Sequence, residues 1–226
     1  VRVRDSAAVG AASFISSIVL PDGVRFSGTP PGRFALSPDG RRLAFTAADA
    51  AGRSTLWVRP LDAAVAQPLA GTDSAAFPFW SPDSRFVAFV AQGKLKKIDV
   101  SGGPPLTVCD PCDLASGQVG FGATGAWNRD DVILFTPAGG SPLYRVPASG
   151  GTPTPVTTLD AASGDSQHWF PFFLPDDRHF LYFAVGSKTG GVTDPRAVYV
   201  GSLDPKESSK LLLEHGSNAK YAQGHL

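Results

Sequence analysis

The sequence predicts an all-β protein, a β-propeller of four-stranded antiparallel blades, on three observations. A phrase recurs: Phe34-Ala-Leu-Ser-Pro-Asp-Gly-Arg-Arg-Leu-Ala-Phe45, Phe79-Trp-Ser-Pro-Asp-Ser-Arg-Phe-Val-Ala-Phe89, Ala126-Trp-Asn-Arg-Asp-Asp-Val-Ile-Leu-Phe135 and Phe173-Leu-Pro-Asp-Asp-Arg-His-Phe-Leu-Tyr-Phe183. Its anchors Leu36, Trp80, Trp127 and Phe173 stand 44, 47 and 46 residues apart, the period of propeller blades. Helical periodicity is scarce, and apolar residues instead alternate in short bursts between Gly- and Pro-rich turns.

Taken in order, residues 1–28 form an N-terminal segment in which Phe14 to Leu20 reads as a lone strand, able to complete the last blade and close the ring. Blade 1 occupies 29–70, with strands at 33–36, 42–46, 55–59 and 67–69. Blade 2 occupies 71–108, with strands at 77–80, 86–91, 95–100 and 106–108. Blade 3 takes 109–159, with strands at 123–127, 132–136, 143–146 and 155–157. Blade 4 takes 160–213, with strands at 170–174, 179–185, 197–201 and 210–213. Residues 214–226 read as the start of a further blade. Four blades and a stub imply an incomplete ring with an exposed sheet edge.

The phrase has a mechanical basis. In Ser37-Pro-Asp-Gly40 the proline presets φ for a tight turn, Asp suits the next position, and Gly accepts the left-handed one after it. The same position holds Ser84, Asp131 and Asp177 in the other repeats, residues that tolerate positive φ at modest cost. Turn chemistry therefore accounts for these Asp residues better than catalysis does. Beyond each turn, Leu43 and Phe45, Val87 and Phe89, Ile133 and Phe135, and Leu181 and Phe183 alternate with smaller or polar residues. That is the period of a strand packed against a neighbouring blade. Each buried Phe or Leu contributes about 1.5–3 kcal/mol, and no blade can cover its own faces.

Composition narrows the function classes. Lys plus Arg and Asp plus Glu are both 20, so the basic footprint of a nucleic-acid surface is missing. The cluster Lys94, Lys96, Lys97 alternates faces on a strand and reads as a solvated edge. No apolar run approaches the ~18 residues of a membrane-spanning helix, and the apolar stretch from Ala7 to Leu20 lacks a signal-peptide cleavage pattern. Met is absent, even as initiator, as expected of a processed chain or an excerpt from a longer one.

Motifs that carry chemistry are few. Gly120-Phe-Gly-Ala-Thr-Gly125 matches the dinucleotide pattern, but a turn and a strand follow where a helix is needed; it reads as a Gly-rich loop between blades, with no cofactor. Cys109-Asp-Pro-Cys112 supplies half a zinc site at most. It reads as a disulfide in an oxidising compartment or as free thiols in a reducing one. The four histidines show no metal spacing, and no nucleophile elbow, phosphate loop or kinase catalytic loop is present, so no catalytic or metal-binding residue is assigned. Loops that enter inner strands gather at the channel mouth. On that ground Gln167, His168 and Trp169, with Asp73 and Ser74 in the second repeat, are the ligand-contact candidates, against the plainer reading that Trp169 packs its blade and His168 caps a loop.

Over residues 29–226 these repeats resemble the TolB-like, WD-like propeller repeat, most clearly at Phe34–Phe45 and Phe79–Phe89. The third repeat lacks the proline, and the fourth has Leu174 where serine is usual. Further segments resemble the C-terminal propeller of bacterial transmembrane serine/threonine kinases: Ile18-Val-Leu-Pro21, Ala126-Trp-Asn128, His168-Trp-Phe-Pro171, Leu174-Pro-Asp-Asp-Arg-His-Phe-Leu-Tyr182, Ser217-Asn-Ala-Lys-Tyr221 and Gly224-His-Leu226. That resemblance implies an extracytoplasmic sensor that binds a protein, peptide or small ligand and inserts no segment of its own into the membrane. It brings no kinase residue to this chain. The alternatives are a TolB-like periplasmic scaffold and the propeller gate of a prolyl-oligopeptidase-like hydrolase whose catalytic domain lies outside this sequence.

Overall fold

The computed structural model describes residues 18–27, 34–110, 112, 125–137, 140–186, 196–222 and 225. They form four antiparallel sheets, each built from consecutive chain segments. The first holds β1 (Arg25–Phe26), β2 (Phe34–Leu36), β3 (Arg42–Ala48), β4 (Ser54–Pro60) and β5 (Gln67–Pro68). The second holds β6 (Ala76–Trp80), β7 (Phe86–Ala91), β8 (Lys94–Asp99) and β9 (Leu106–Cys109). The third holds β10 (Gly125–Trp127), β11 (Val132–Phe135), β12 (Tyr144–Pro147) and β13 (Thr154–Pro155). The fourth holds β14 (Asp165–Phe173), β15 (His179–Gly186), β16 (Arg196–Ser202) and β17 (Lys210–Glu214). The last three are plain meanders in chain order. The architecture is an all-β, incomplete β-propeller, as the repeat predicts.

Blade 1 departs from the meander at its inner edge. β1 and β2 lie in tandem along the same edge of β3, pairing Phe26 with Ala47 and Phe34 with Phe45. Phe26 and Phe34 are eight residues apart in sequence, whereas their partners Ala47 and Phe45 are two apart. Arg25 and Phe26 thus join the sheet of blade 1. Of the expected ring-closing strand, only residues 18–20 are described. Ile18, Val19 and Leu20 are not in a strand, and Ile18 and Leu20 pack with Val24 and Phe26 over Phe45 and Trp57 on the outward face of blade 1. The reason is burial, because that face carries the large apolar side chains Phe45 and Trp57. Residues 14–17 of the supposed strand lie outside the described residues. At the other end, Ala219 and Tyr221 cover the cluster of Leu181, Phe183 and Val198 on blade 4.

The hairpin turns hold as the phrase requires. Gly40, Ser84, Asp131 and Asp177 have φ of 71°, 60°, 58° and 56°. Each closes its turn by donating its N–H to the carbonyl three residues back, at 2.8–3.2 Å. Strands then present alternate faces to the two neighbouring blades. Ala44, Leu56 and Val58 meet Trp80, Val87 and Phe89 between blades 1 and 2. Phe79, Val90 and Leu95 meet Trp127, Ile133 and Val146 between blades 2 and 3. Leu134 and Leu143 meet Phe180 and Tyr182 between blades 3 and 4. The inner strands touch in sequence, β2 with β6, β6 with β10 and β10 with β14.

Candidate functional site

The inner strands converge on one cavity of about 900 Å³. Each blade contributes equivalent positions: Phe34 to Leu36, Pro78 to Trp80, Gly125 to Trp127 and Phe170 to Leu174. The turns add Pro38, Pro82, Arg129, Pro175 and Asp177, and the chain after blade 4 adds Asn218, Lys220 and Tyr221.

Two of these strands are built alike. β6 and β14 each break register, between Ala76 and Phe79 and between Trp169 and Phe172. At each break sits a phenylalanine with φ of 54°, Phe77 and Phe170, an uncommon conformation for a bulky residue. Each bulge re-aims its strand and is followed by the same order of residues, Pro78-Phe79-Trp80 and Pro171-Phe172-Phe173. A proline on the free inner edge leaves no N–H unpaired there. Trp80 serves the same economy by donating its Nε1–H to the Ala35 carbonyl at 2.8 Å, which also ties blade 2 to blade 1.

The rim is polar and stitched. Arg129 donates from its backbone N–H to Asp177 Oδ1 at 3.1 Å and from Nη2 to the Pro175 carbonyl at 2.7 Å. Its Nε donates to Asp177 Oδ2, and Asn128 donates to the Asp177 carbonyl at 2.8 Å. Between blades 1 and 2 the corresponding link runs from the Asp39 N–H to Ser84 Oγ at 3.1 Å. The left-handed turn residues Ser84 and Asp177 thus bind the preceding blade, a role that glycine could not fill.

None of the five ligand-contact candidates lines this cavity. Gln167, His168 and Trp169 belong to β14 itself, not to a loop before it, because the fourth inner strand starts at Asp165. His168 is 1% exposed. Its Nδ1 lies 2.7 Å from Thr157 Oγ1 and its Nε2 2.6 Å from Asp165 Oδ2. Thr157 Oγ1 also accepts from the Leu143 N–H, so the imidazole is tied to a hydroxyl that itself holds the third strand of blade 3. The ring stands 4.6 Å from that of Tyr182, whose phenol burial pushes up to about 12. Gln167 accepts from the Gly140 N–H at 2.9 Å. Trp169 is half-buried against Phe170 and the blade 4 cluster. Asp73 and Ser74 are exposed where the chain crosses into β6, and the Ser74 N–H donates to the Ser54 carbonyl at 2.8 Å. Gln167, His168 and Ser74 thus fasten the crossovers at the ends of the inner strands remote from the turns.

Cys109 and Cys112 are joined as a disulfide, with Cα atoms 5.4 Å apart. Cys112 Sγ also accepts the Leu95 N–H at 3.4 Å. Thr72 Oγ1 accepts the Leu56 N–H at 2.9 Å in blade 1, and Thr157 does the same for Leu143 in blade 3. The sulfur therefore stands where two other blades place a hydroxyl. The Gly-rich segment from 120 lies outside the described residues except for Gly125. Among the described residues, no three His, Cys, Asp or Glu side chains are grouped to hold a metal ion, and no helix is long and apolar enough to cross a membrane.

No protein-family model matches this chain, and no curated protein sequence matches it. Solved structures do. A protein named TolB from Agrobacterium tumefaciens is similar at 17% identity and a TM-score of 0.60, over 80% of this chain and 64% of that one. The β-propeller domain of the trilobed protease of Pyrococcus furiosus, described as having an open velcro topology, is similar at 17% identity and 0.55, over 84% and 60%. A prolyl endopeptidase structure is similar at 16% identity and 0.51, over 86% and 29%. The chain spans about three fifths of the length of the first two. At this identity the likeness shows the fold, that of the TolB-like β-propellers.

Proposed function

We propose that this TolB-like β-propeller is a non-enzymatic binding module that receives a protein, peptide or small ligand at the wall of its channel, as the extracytoplasmic sensor of a bacterial membrane serine/threonine kinase. One observation carries the binding reading. Equivalent positions of all four blades, two of them set by strained Phe-Pro bulges, build a single aromatic and proline-lined cavity. Backbone strain of this kind concentrates at ligand sites, and an apolar concavity with a few polar groups at its rim is the usual form of a binding pocket. The kinase setting is supported by the sequence resemblance in the segments around Trp127, His168 and Leu174.

A second reading is favoured by the likeness to two peptidase-associated propellers. In it the channel admits peptides to a hydrolase domain elsewhere in the same protein. The intact mass and peptide map of the parent protein from its own cells separate the two. A kinase domain and an apolar span upstream are the expected result. A hydrolase domain downstream overturns the sensor reading in favour of the gate. A stand-alone propeller released from a signal peptide overturns it in favour of a TolB-like scaffold.

A further inference from the structure

Three charged side chains line the cavity, Arg129, Asp177 and Lys220. Arg129 and Asp177 neutralise each other. Lys220 is exposed and has no ion pair or hydrogen bond among the described residues, so the site carries one uncompensated positive charge. It stands beside Asn218, whose amide is likewise without a partner among the described residues. The rest of the wall offers aromatic faces and proline rings, and Pro78 and Pro171 remove backbone donors from it. A complementary ligand has an apolar body and one anionic end.

Resting on the reading of the channel as the ligand site, we infer that the cavity takes the free C-terminus of an apolar, proline-containing peptide, with its α-carboxylate on Lys220 and Asn218. Prolines and aromatic side chains of such a peptide match the aromatic wall, in the way that aromatic grooves hold preformed proline-rich segments. The carboxylate meets the one cavity-lining cation that has no ion pair among the described residues. An internal peptide segment has no such charge and loses that contact.

The test is calorimetric titration of the protein with N-acetyl-Leu-Pro-Phe, as the free acid and as the C-terminal amide, and with dodecanoate. The free acid is expected to bind one to one and at least tenfold more tightly than the amide. Lys220→Gln should erase that preference while leaving the amide's affinity unchanged. Leu36→Asn, at a wall position 57% exposed and so tolerant of change, should weaken both peptides. Equal binding of acid and amide overturns the carboxylate assignment, and Leu36→Asn still weakening both would then leave the channel reading standing. Peptide binding that ignores Leu36→Asn removes the channel reading as well. Absence of binding by either peptide to a protein with native circular dichroism overturns the inference. So does tighter, Lys220-dependent binding of dodecanoate, which would make the ligand a lipid-like acid.

Discussion

Gly125 lies directly under the ring of Phe79. A Cβ built on residue 125 would stand 2.4 Å from two ring carbons, so the close approach of the second and third inner strands depends on a hydrogen at that position. Phe79 is held in the cluster between blades 2 and 3, so the ring must shift toward the cavity to make room. Gly125→Ala is expected to destabilise by about 1–3 kcal/mol through overpacking, seen as a lower thermal midpoint. Gly125→Ala combined with Phe79→Leu should recover part of the loss, which an effect on the backbone alone would not allow.

The four turns divide into two kinds. A Cβ at Gly40 would meet nothing within 4 Å, so Gly40→Ala isolates the cost of the left-handed backbone, about 1 kcal/mol. At Asp177 that saving competes with the contacts to Arg129. Asp177→Gly is expected to fall within about 0.5 kcal/mol of the parent, because relief of the left-handed strain offsets the lost contacts. Asp177→Ala keeps the strain, loses the contacts, and should cost about 1–2 kcal/mol. Urea unfolding with an unchanged slope checks all three, and an Asp177→Ala protein as stable as Asp177→Gly would contradict the assignment.

The blades were legible because their punctuation is local. Ser37-Pro-Asp-Gly40 and its relatives dictate a hairpin whatever surrounds them, and the flanking alternation of Leu43 and Phe45 follows a two-residue period. The cavity wall was less legible because it forms from positions some 45 residues apart. Its one local signal, the repeated Phe-Pro-Phe of residues 77–79 and 170–172, was present but resembles ordinary strand composition. His168 misled for a different reason. An imidazole satisfied by Thr157 and Asp165 depends on partners that spacing does not reveal, so a buried fastening looked like an exposed contact. The split inner strand of blade 1 escaped notice because a pairing of two residues, Arg25 and Phe26, is too short to carry a period.

For the cysteines, alkylation in denaturant without reductant is expected to leave the mass unchanged, and reduction should expose two thiols. The acceptor role of Cys112 has its own test. Cys112→Thr keeps an acceptor for the Leu95 N–H, whereas Cys112→Val has nearly the same shape and none. Both lose the disulfide, so their difference, about 1–3 kcal/mol in favour of Thr, measures one buried unpaired N–H. Equal unfolding midpoints would show that the contact with sulfur contributes nothing.

Alkaline titration probes Tyr182. Burial holds its phenol neutral until about pH 12, against 10 in a free chain. A raised folded-state value means that the stabilisation is complete below pH 10 and is lost as the pH climbs through 12, because the unfolded chain ionises first. The parent should lose stability over that interval. Tyr182→Phe, compared at each pH, should remove this component of the decline and leave that of the other groups. Parallel curves for the two proteins would contradict it.

Contacts between successive inner strands also bear on how the molecule comes into being. Each sheet is made from one uninterrupted stretch of chain, and its principal partner is the sheet that left the ribosome just before it. A growing chain can therefore add finished units one at a time, each docking on a surface already in place. Ile18, Leu20, Val24 and Phe26 cover Phe45 and Trp57 of the sheet that they lead into, so that face is shielded by its own stretch of chain without waiting for another sheet.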